Sequence, residues 1–293
     1  MRMFVTGASG FIGRHLLSLL GNHEVMCLSR QRTGLAAEAK AQSNVKTIQG
    51  DLSQAETWSA QVEQFSPHCC IHLAWEGLPD YSPERCQRNL DAGLGLIEGL
   101  AKARIERVVV AGSCWEYGAA SGAVAESHTP TDCGLFATTK TVLRTALDSV
   151  SRERGIAYRW ARIFFTYGPG QRASSLIPQC WAAFSEGKTA DISQPRVAQD
   201  FVHVDDVARG LLAMAECDMA SGIYNLGSGT PAAVGEVANH VAEHFGMAPP
   251  YPKVGFEHGF WADTKKMVAA TGWRAQIELR DGIERTLQAL EAA

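Results

Sequence analysis

The chain has no long hydrophobic run. No apolar stretch in its 293 residues approaches the roughly 18 that a membrane-spanning helix needs. It also lacks a run of basic residues, and its formal net charge is −4. Nucleic acid and anionic membrane surfaces are therefore not expected as its main partners. Its eight cysteines are scattered and none forms a C-x-x-C pair, so reduced thiols are expected rather than a metal site or a disulfide framework. No internal repeat and no low-complexity tail is visible. The opening "MRMFVTGASG" runs directly into a strand and a glycine turn, which leaves no room for a signal peptide and points to the cytoplasm.

What is present is an alternation of strands and helices. "MFVTG" reads as a strand, "FIGRHLLSLLGN" as a helix closed by Gly21-Asn22, and "EVMCLSR" as a second strand. A helical stretch near 54–65, the strand "CCIHLAW", the helix "NLDAGLGLIEGLAKA", the strand "RVVVAGS", a helix over 135–154 and the strand "AYRWARIFF" follow. Continuous apolar strands separated by helices predict an α/β fold: a Rossmann-type, doubly wound parallel sheet covered on both faces. After Phe165 prolines and glycines become frequent. "FVHVDDVARGLLAMA" reads as a helix and "GIYNLGSG" as a strand returning to the sheet, and "LRDGIERTLQALEAA" as a closing helix. The expected division is a dinucleotide-binding domain over 1–165, with 200–228 returning to it. Residues 166–199 and 229–293 form a smaller C-terminal substrate-binding lobe.

"TGASGFIG" sets Gly7, Gly10 and Gly13 between the first strand and its helix, which Phe11 and Ile12 open. In that context each glycine has a physical reason. Gly7 permits a tight turn, Gly10 lets a pyrophosphate approach the backbone, and Gly13 lets helix and strand pack closely. The free N–H groups and the positive end of the helix dipole then face the phosphates. The second strand ends in Ser29, Arg30 and Arg32, without the carboxylate that usually binds the adenosine ribose of NAD. Guanidinium groups suit a 2′-phosphate, so NADP(H) is expected over NAD(H).

These motifs resemble, over nearly the whole chain and in order, the extended short-chain dehydrogenase/reductases, specifically the NAD(P)-dependent nucleotide-sugar epimerases, dehydratases and ketoreductases. "GDL", with Asp51 and Leu52, resembles the family's adenine contact. "HLAW", with Leu73 and Ala74, stands where the family has His-Leu-Ala-Ala beside the cofactor. Asn89 matches the asparagine opening the next helix, and "GSCWEYG" places Ser113 in the catalytic serine's position. The resemblance implies hydride transfer between a sugar carbon and the nicotinamide. Ser113 would hold the sugar oxygen and Lys140 the nicotinamide ribose. It also implies a homodimer formed through the helices at 87–103 and 135–152.

One position departs from the pattern. The family's proton donor is a tyrosine four residues before the lysine, and here that residue is Phe136. Either another group protonates the alkoxide, or hydride transfer survives at a lower rate, or the fold has become a sensor that only binds. The replacement acid favoured by position is Tyr81, in the loop after "HLAW", with Ser113 relaying from water as the other route. Cys133, Tyr117 and Tyr167 are weaker candidates, and His72 reads as a core histidine. Where the family's dehydratases carry an Asp-Glu pair, this chain has Cys114 and Trp115; Glu116 would point to the other face of a strand.

A one-way reduction of a 4-keto-6-deoxy nucleotide sugar by NADPH is therefore the expected reaction, with C4 epimerisation as the alternative. In the substrate lobe, Thr166 stands where the family commonly has asparagine. Gln199 replaces the usual arginine before "DFV", and Arg196 and Lys253 are the candidate phosphate contacts.

Overall fold

The computed structural model describes residues 1–30, 43–103, 105–252 and 255–292. Arg32 and Lys253 therefore lie outside the described residues. The first strand, β1 (Arg2–Thr6), is followed by α1 (Phe11–Leu19), β2 (Glu24–Ser29), β3 (Val45–Gln49), α2 (Ser59–Phe65) and β4 (Cys69–His72). Next come α3 (Pro83–Lys102), β5 (Arg107–Ala111), β6 (Gly122–Val124), α4 (Leu135–Arg154), β7 (Ala157–Ile163) and β8 (Phe165–Tyr167). The second half adds α5 (Leu176–Ser185), β9 (Val197–His203), α6 (Val204–Glu216), β10 (Gly222–Leu226) and β11 (Pro231–Ala233). It closes with α7 (Val234–His244), β12 (His258–Ala262), α8 (Lys265–Thr271) and α9 (Leu279–Glu291).

Seven strands form one parallel sheet in the order β10-β7-β5-β4-β1-β2-β3. The chain runs outward from β1 through β2 to β3, then returns to β4 on the other side. The reversal opens a crevice at the carboxyl ends of β1 and β4, where α/β sheets of this kind bind ligands. Successive central strands read as unbroken apolar runs because helices cover both faces. One apolar layer packs Leu16, Val207 and Leu211 against the sheet, and the other packs Trp58, Leu96 and Leu143. A third core, with Tyr167, Phe184 and Val241, lies among the later elements.

The smaller sheet runs β11-β9-β12-β6, with β8 also on β9. Residues 200–203, expected with the returning segment, run in this sheet as the end of β9. "FVH" is thus strand rather than helix. The helix begins at Val204, where the His203 ring accepts the Asp205 N–H and caps it. The edge strand β3 was not anticipated: in "VKTIQ" only Ile48 is buried, so neither a clean alternation nor an apolar run marks it.

Candidate functional site

The glycine loop crosses the crevice above β1. Gly7 has φ +74°, and a Cβ there would stand 2.6 Å from the Ala74 nitrogen. A Cβ on Gly13 would stand 2.2 Å from the Gly7 carbonyl oxygen, so helix and turn touch directly. Gly10 is the N-cap of α1 and supplies no side-chain hydrogen bond to the first-turn N–H groups, which include those of Phe11 and Ile12. A Cβ on Gly10 would meet only the Gly7 oxygen, at 3.1 Å. The loop thus forms a cradle of bare backbone that fits a pyrophosphate.

The ends of β2, β3 and β4 flank that cradle. Asp51 accepts hydrogen bonds from the Ser53 N–H at 2.9 Å and hydroxyl at 2.7 Å, which hold its carboxyl below the usual range. Leu52 follows it, its carbonyl against Gly95 of α3, where a Cβ would come within 2.4 Å of that oxygen. Ser29 ends β2 and is partly buried. Arg30, expected to await a phosphate, instead ion-pairs with Glu76. Glu76 also binds Arg85 at 2.9 Å and lies 3.6 Å from Arg88. Asn89 fixes this hub, accepting the Glu76 N–H at 2.8 Å.

Farther along the crevice, Lys140 is 6% exposed and donates to the Ala111 carbonyl at 2.8 Å. Its ammonium lies 4.1 Å from the Trp75 ring centroid and 5.6 Å from that of Phe136. Burial pushes the Lys140 ammonium down to about 8, against the opposing charge of Glu116. Phe136 sits one turn earlier on α4, its ring edge-on to Trp75 at 5.1 Å and to Trp115 at 6.1 Å. Tyr81 joins the same group, 5.2 Å from Phe136 and 5.4 Å from Trp115.

Ser113 follows β5 and caps a short 3-10 turn, Cys114–Tyr117, accepting the Trp115 N–H at 3.2 Å. Glu116 therefore lies in a turn and not on the other face of a strand, and it is fully buried. Below the site, His72 is buried and bonded to the Thr6 hydroxyl at 2.7 Å. Burial, helped by the Lys140 charge, holds its imidazole down to about 3, consistent with a neutral core histidine.

The structure thus brings Ser113, Lys140, Phe136 and Tyr81 to one end of the crevice, with the glycine loop, Leu73 and Ala74 leading to it. The substrate-lobe candidates are less concentrated. Thr166 turns its hydroxyl to the Phe164 carbonyl at 3.1 Å. Gln199 lies within β9, paired with β11 and β12. Arg196 is paired with Glu257 at 2.6 Å. Trp75 and Trp115 were not singled out as site residues. The tryptophan ending "HLAW", where the family has alanine, was the available signal.

A model of the NAD dependent epimerase/dehydratase family matches residues 3–227. The chain belongs to that family. Among curated relatives, the dTDP-L-rhamnose 4-epimerase of Burkholderia thailandensis is 24% identical over 96% of this chain and 93% of its own. UDP-glucuronic acid decarboxylase 6 of Arabidopsis thaliana is 26% identical over 97% of this chain and 87% of its own. Among solved structures, MoeE5 in complex with UDP-glucuronic acid and NAD superposes with a TM-score of 0.84 at 28% identity, covering 100% of this chain and 99% of that one.

The expectation of NADP(H) is corrected by these findings. The matched solved structure holds NAD. The Arg30 guanidinium that suggested a 2′-phosphate is committed to Glu76. No described helix is long and apolar enough to cross a membrane.

Proposed function

We propose that this chain is an NAD-dependent nucleotide-sugar 4-epimerase in which Tyr81 moves the proton at the C4 oxygen. The observation that carries the reading is the position of Tyr81, whose ring lies against Phe136 beside Lys140. A phenol both donates and accepts a hydrogen bond, as a group that takes a proton in one half-reaction and returns it in the other must. A positioned acid–base group of this kind is worth roughly 10²–10⁴ in rate.

The cradle of Gly7, Gly10 and Gly13 would hold the cofactor's pyrophosphate, and Lys140 would bind the nicotinamide ribose once the Trp75 ring has moved from over its ammonium. NAD, when bound, supplies the hydride acceptor at C4. Ser113 offers a hydrogen bond to the same oxygen. The wall formed by Trp75, Trp115 and Phe136 favours a 6-deoxy sugar over a charged uronate. The similarity to the dTDP-L-rhamnose 4-epimerase supports epimerisation at C4 of a 6-deoxy sugar. An enzyme that oxidises and re-reduces one carbon recycles its NAD, which fits this cofactor better than one-way reduction does.

The smaller sheet and its core would form the substrate lobe. The exposed Leu94 and Val142, on the helices at 83–102 and 135–154, support a homodimer face there.

The test is to incubate the protein with NAD and, in turn, dTDP-L-rhamnose, UDP-glucose and UDP-glucuronate, following the C4 proton by NMR. Appearance of a C4 epimer supports the reading. Binding of cofactor and sugar nucleotide with no interconversion favours the second reading, a sensor that binds without turnover. The specific observation behind that alternative is the Trp75 ring lying over Lys140.

A further inference from the structure

We infer that Glu116 is a positioning residue: it anchors the Ser113 main chain and so fixes the direction in which the Ser113 hydroxyl faces. The inference rests on the role proposed for Ser113. Glu116 is 0% exposed. Its Oε1 accepts the Ser113 N–H at 2.8 Å and the Trp160 Nε1–H at 2.9 Å. Its Oε2 lies 3.0 Å from the same indole nitrogen and accepts from Arg162 Nε at 3.2 Å. Ser113 and Glu116 thus cap each other across the 3-10 turn.

The anchor is itself held from below. Arg162 is 3% exposed, with its guanidinium 4.3 Å from the Tyr117 ring centroid. The Tyr117 hydroxyl donates to Asn225 of β10 at 2.6 Å. At Gly112, a Cβ would stand 2.2 Å from Trp160 Nε1 and 2.7 Å from Glu116 Oε1, so this pair fills the space just before Ser113. The strand end that delivers Ser113 is therefore set by a buried carboxylate tied to β7 through Trp160 and Arg162 and, through Tyr117, to β10.

A buried ion pair is often no more stabilising than apolar residues of equal volume. An apolar side chain here would fill the space but leave both the Ser113 N–H and the Trp160 Nε1–H without an acceptor. The distinction between stabilising the fold and placing Ser113 is thus testable by removing the acceptor and reading Ser113 itself.

Two double variants compare the site with and without an acceptor. Glu116→Gln/Arg162→Met removes the charge pair and keeps a carbonyl acceptor. Glu116→Met/Arg162→Met removes the pair and the acceptor at nearly the same volume. With a responsive sugar nucleotide, the Met/Met variant is expected to melt lower, because two buried N–H groups lose their acceptor, and to keep a KM within about twofold of the other's. The expected kcat is about 10- to 100-fold lower in the Met/Met variant, the scale of a small misplacement in an active site. Equal kcat in the two overturns the inference.

Amide hydrogen exchange at Ser113 reads the bond without turnover. It should be slow in the wild type and in the Gln/Met variant, and at least about tenfold faster in the Met/Met variant, the scale on which losing a net hydrogen bond shifts an equilibrium. Equal exchange overturns the anchoring. An exchange difference in a protein that turns over no sugar nucleotide supports the anchoring and counts against the epimerase reading instead.

Discussion

The Tyr81 and Phe136 rings lie 5.2 Å apart with their planes tilted by 59°. One comes from the loop before the third helix and the other from the first turn of the fourth. A phenol therefore stands beside a benzene ring at the position where the family's phenol is expected. Tyr81→Phe should lower epimerisation by about 10²–10⁴ while leaving NAD affinity unchanged. Phe136→Tyr, which puts a hydroxyl beside Lys140, should recover part of that loss. Progress curves for the two single variants and the double variant check both, and full turnover in Tyr81→Phe would dismiss Tyr81 as the proton carrier.

Lys140 has a folded-state value of about 8, below its ordinary 10.5, because burial disfavours its charge. Affinity for NAD should weaken as pH rises through about 8 and the ammonium is lost. Between about 8 and 10.5 the unfolded chain binds more protons than the folded one, so this group makes stability rise with pH there. Calorimetric titration of NAD from pH 6.5 to 9.5 separates the binding effect from unfolding. A Lys140→Met variant should show uniformly weaker binding with no such limb.

His72 is buried in its neutral form, with a value held down to about 3 against the ordinary 6.5. The unfolded chain takes up a proton there first, so stability is lost as pH falls from about 6.5 towards 3. The slope from one such group reaches at most about 1.4 kcal/mol per pH unit. Urea unfolding at pH 7 and pH 5 should show this loss in the wild type. His72→Gln should be less stable at pH 7 and show a flatter dependence.

Gly7 and Gly10 should respond differently to alanine. Gly7→Ala meets both a left-handed φ of +74° and a contact of 2.6 Å with backbone, so the loop must move or the fold must weaken by more than about 1 kcal/mol. Gly10→Ala has one contact at 3.1 Å and an ordinary φ, so it should fold normally and lose NAD affinity. Thermal melts with and without NAD distinguish the two.

The alternation that builds the seven-stranded sheet was legible because its strands are apolar throughout and its helices carry their own signals. The fourth helix has the bounds 135–154 that its sequence suggested. Local motifs also placed Gly7, Gly10 and Gly13; Gly10 and Gly13 are constrained by Gly7 and Ala8 close by in sequence, while Gly7 is crowded by Leu73 and Ala74. Less legible were features made by distant partners. Arg30 looked available for a phosphate because Glu76, which claims it, is 46 residues away in sequence. The smaller sheet uses strands of as few as three residues, too short to show a period. Glu116 was misplaced because a strand was assumed to continue where a 3-10 turn begins.

The tenth strand lies beside the seventh, yet the chain reaches it only after passing through the smaller sheet. During synthesis the larger sheet must therefore wait, with the edge of Ala157–Ile163 unsealed, until Gly222–Leu226 has left the ribosome. A nascent or clipped chain ending between these strands carries an open row of backbone donors and acceptors, a template for pairing with another copy. In such a chain Tyr117 also lacks Asn225, so the support beneath Ser113 arrives with the same late strand that closes the edge.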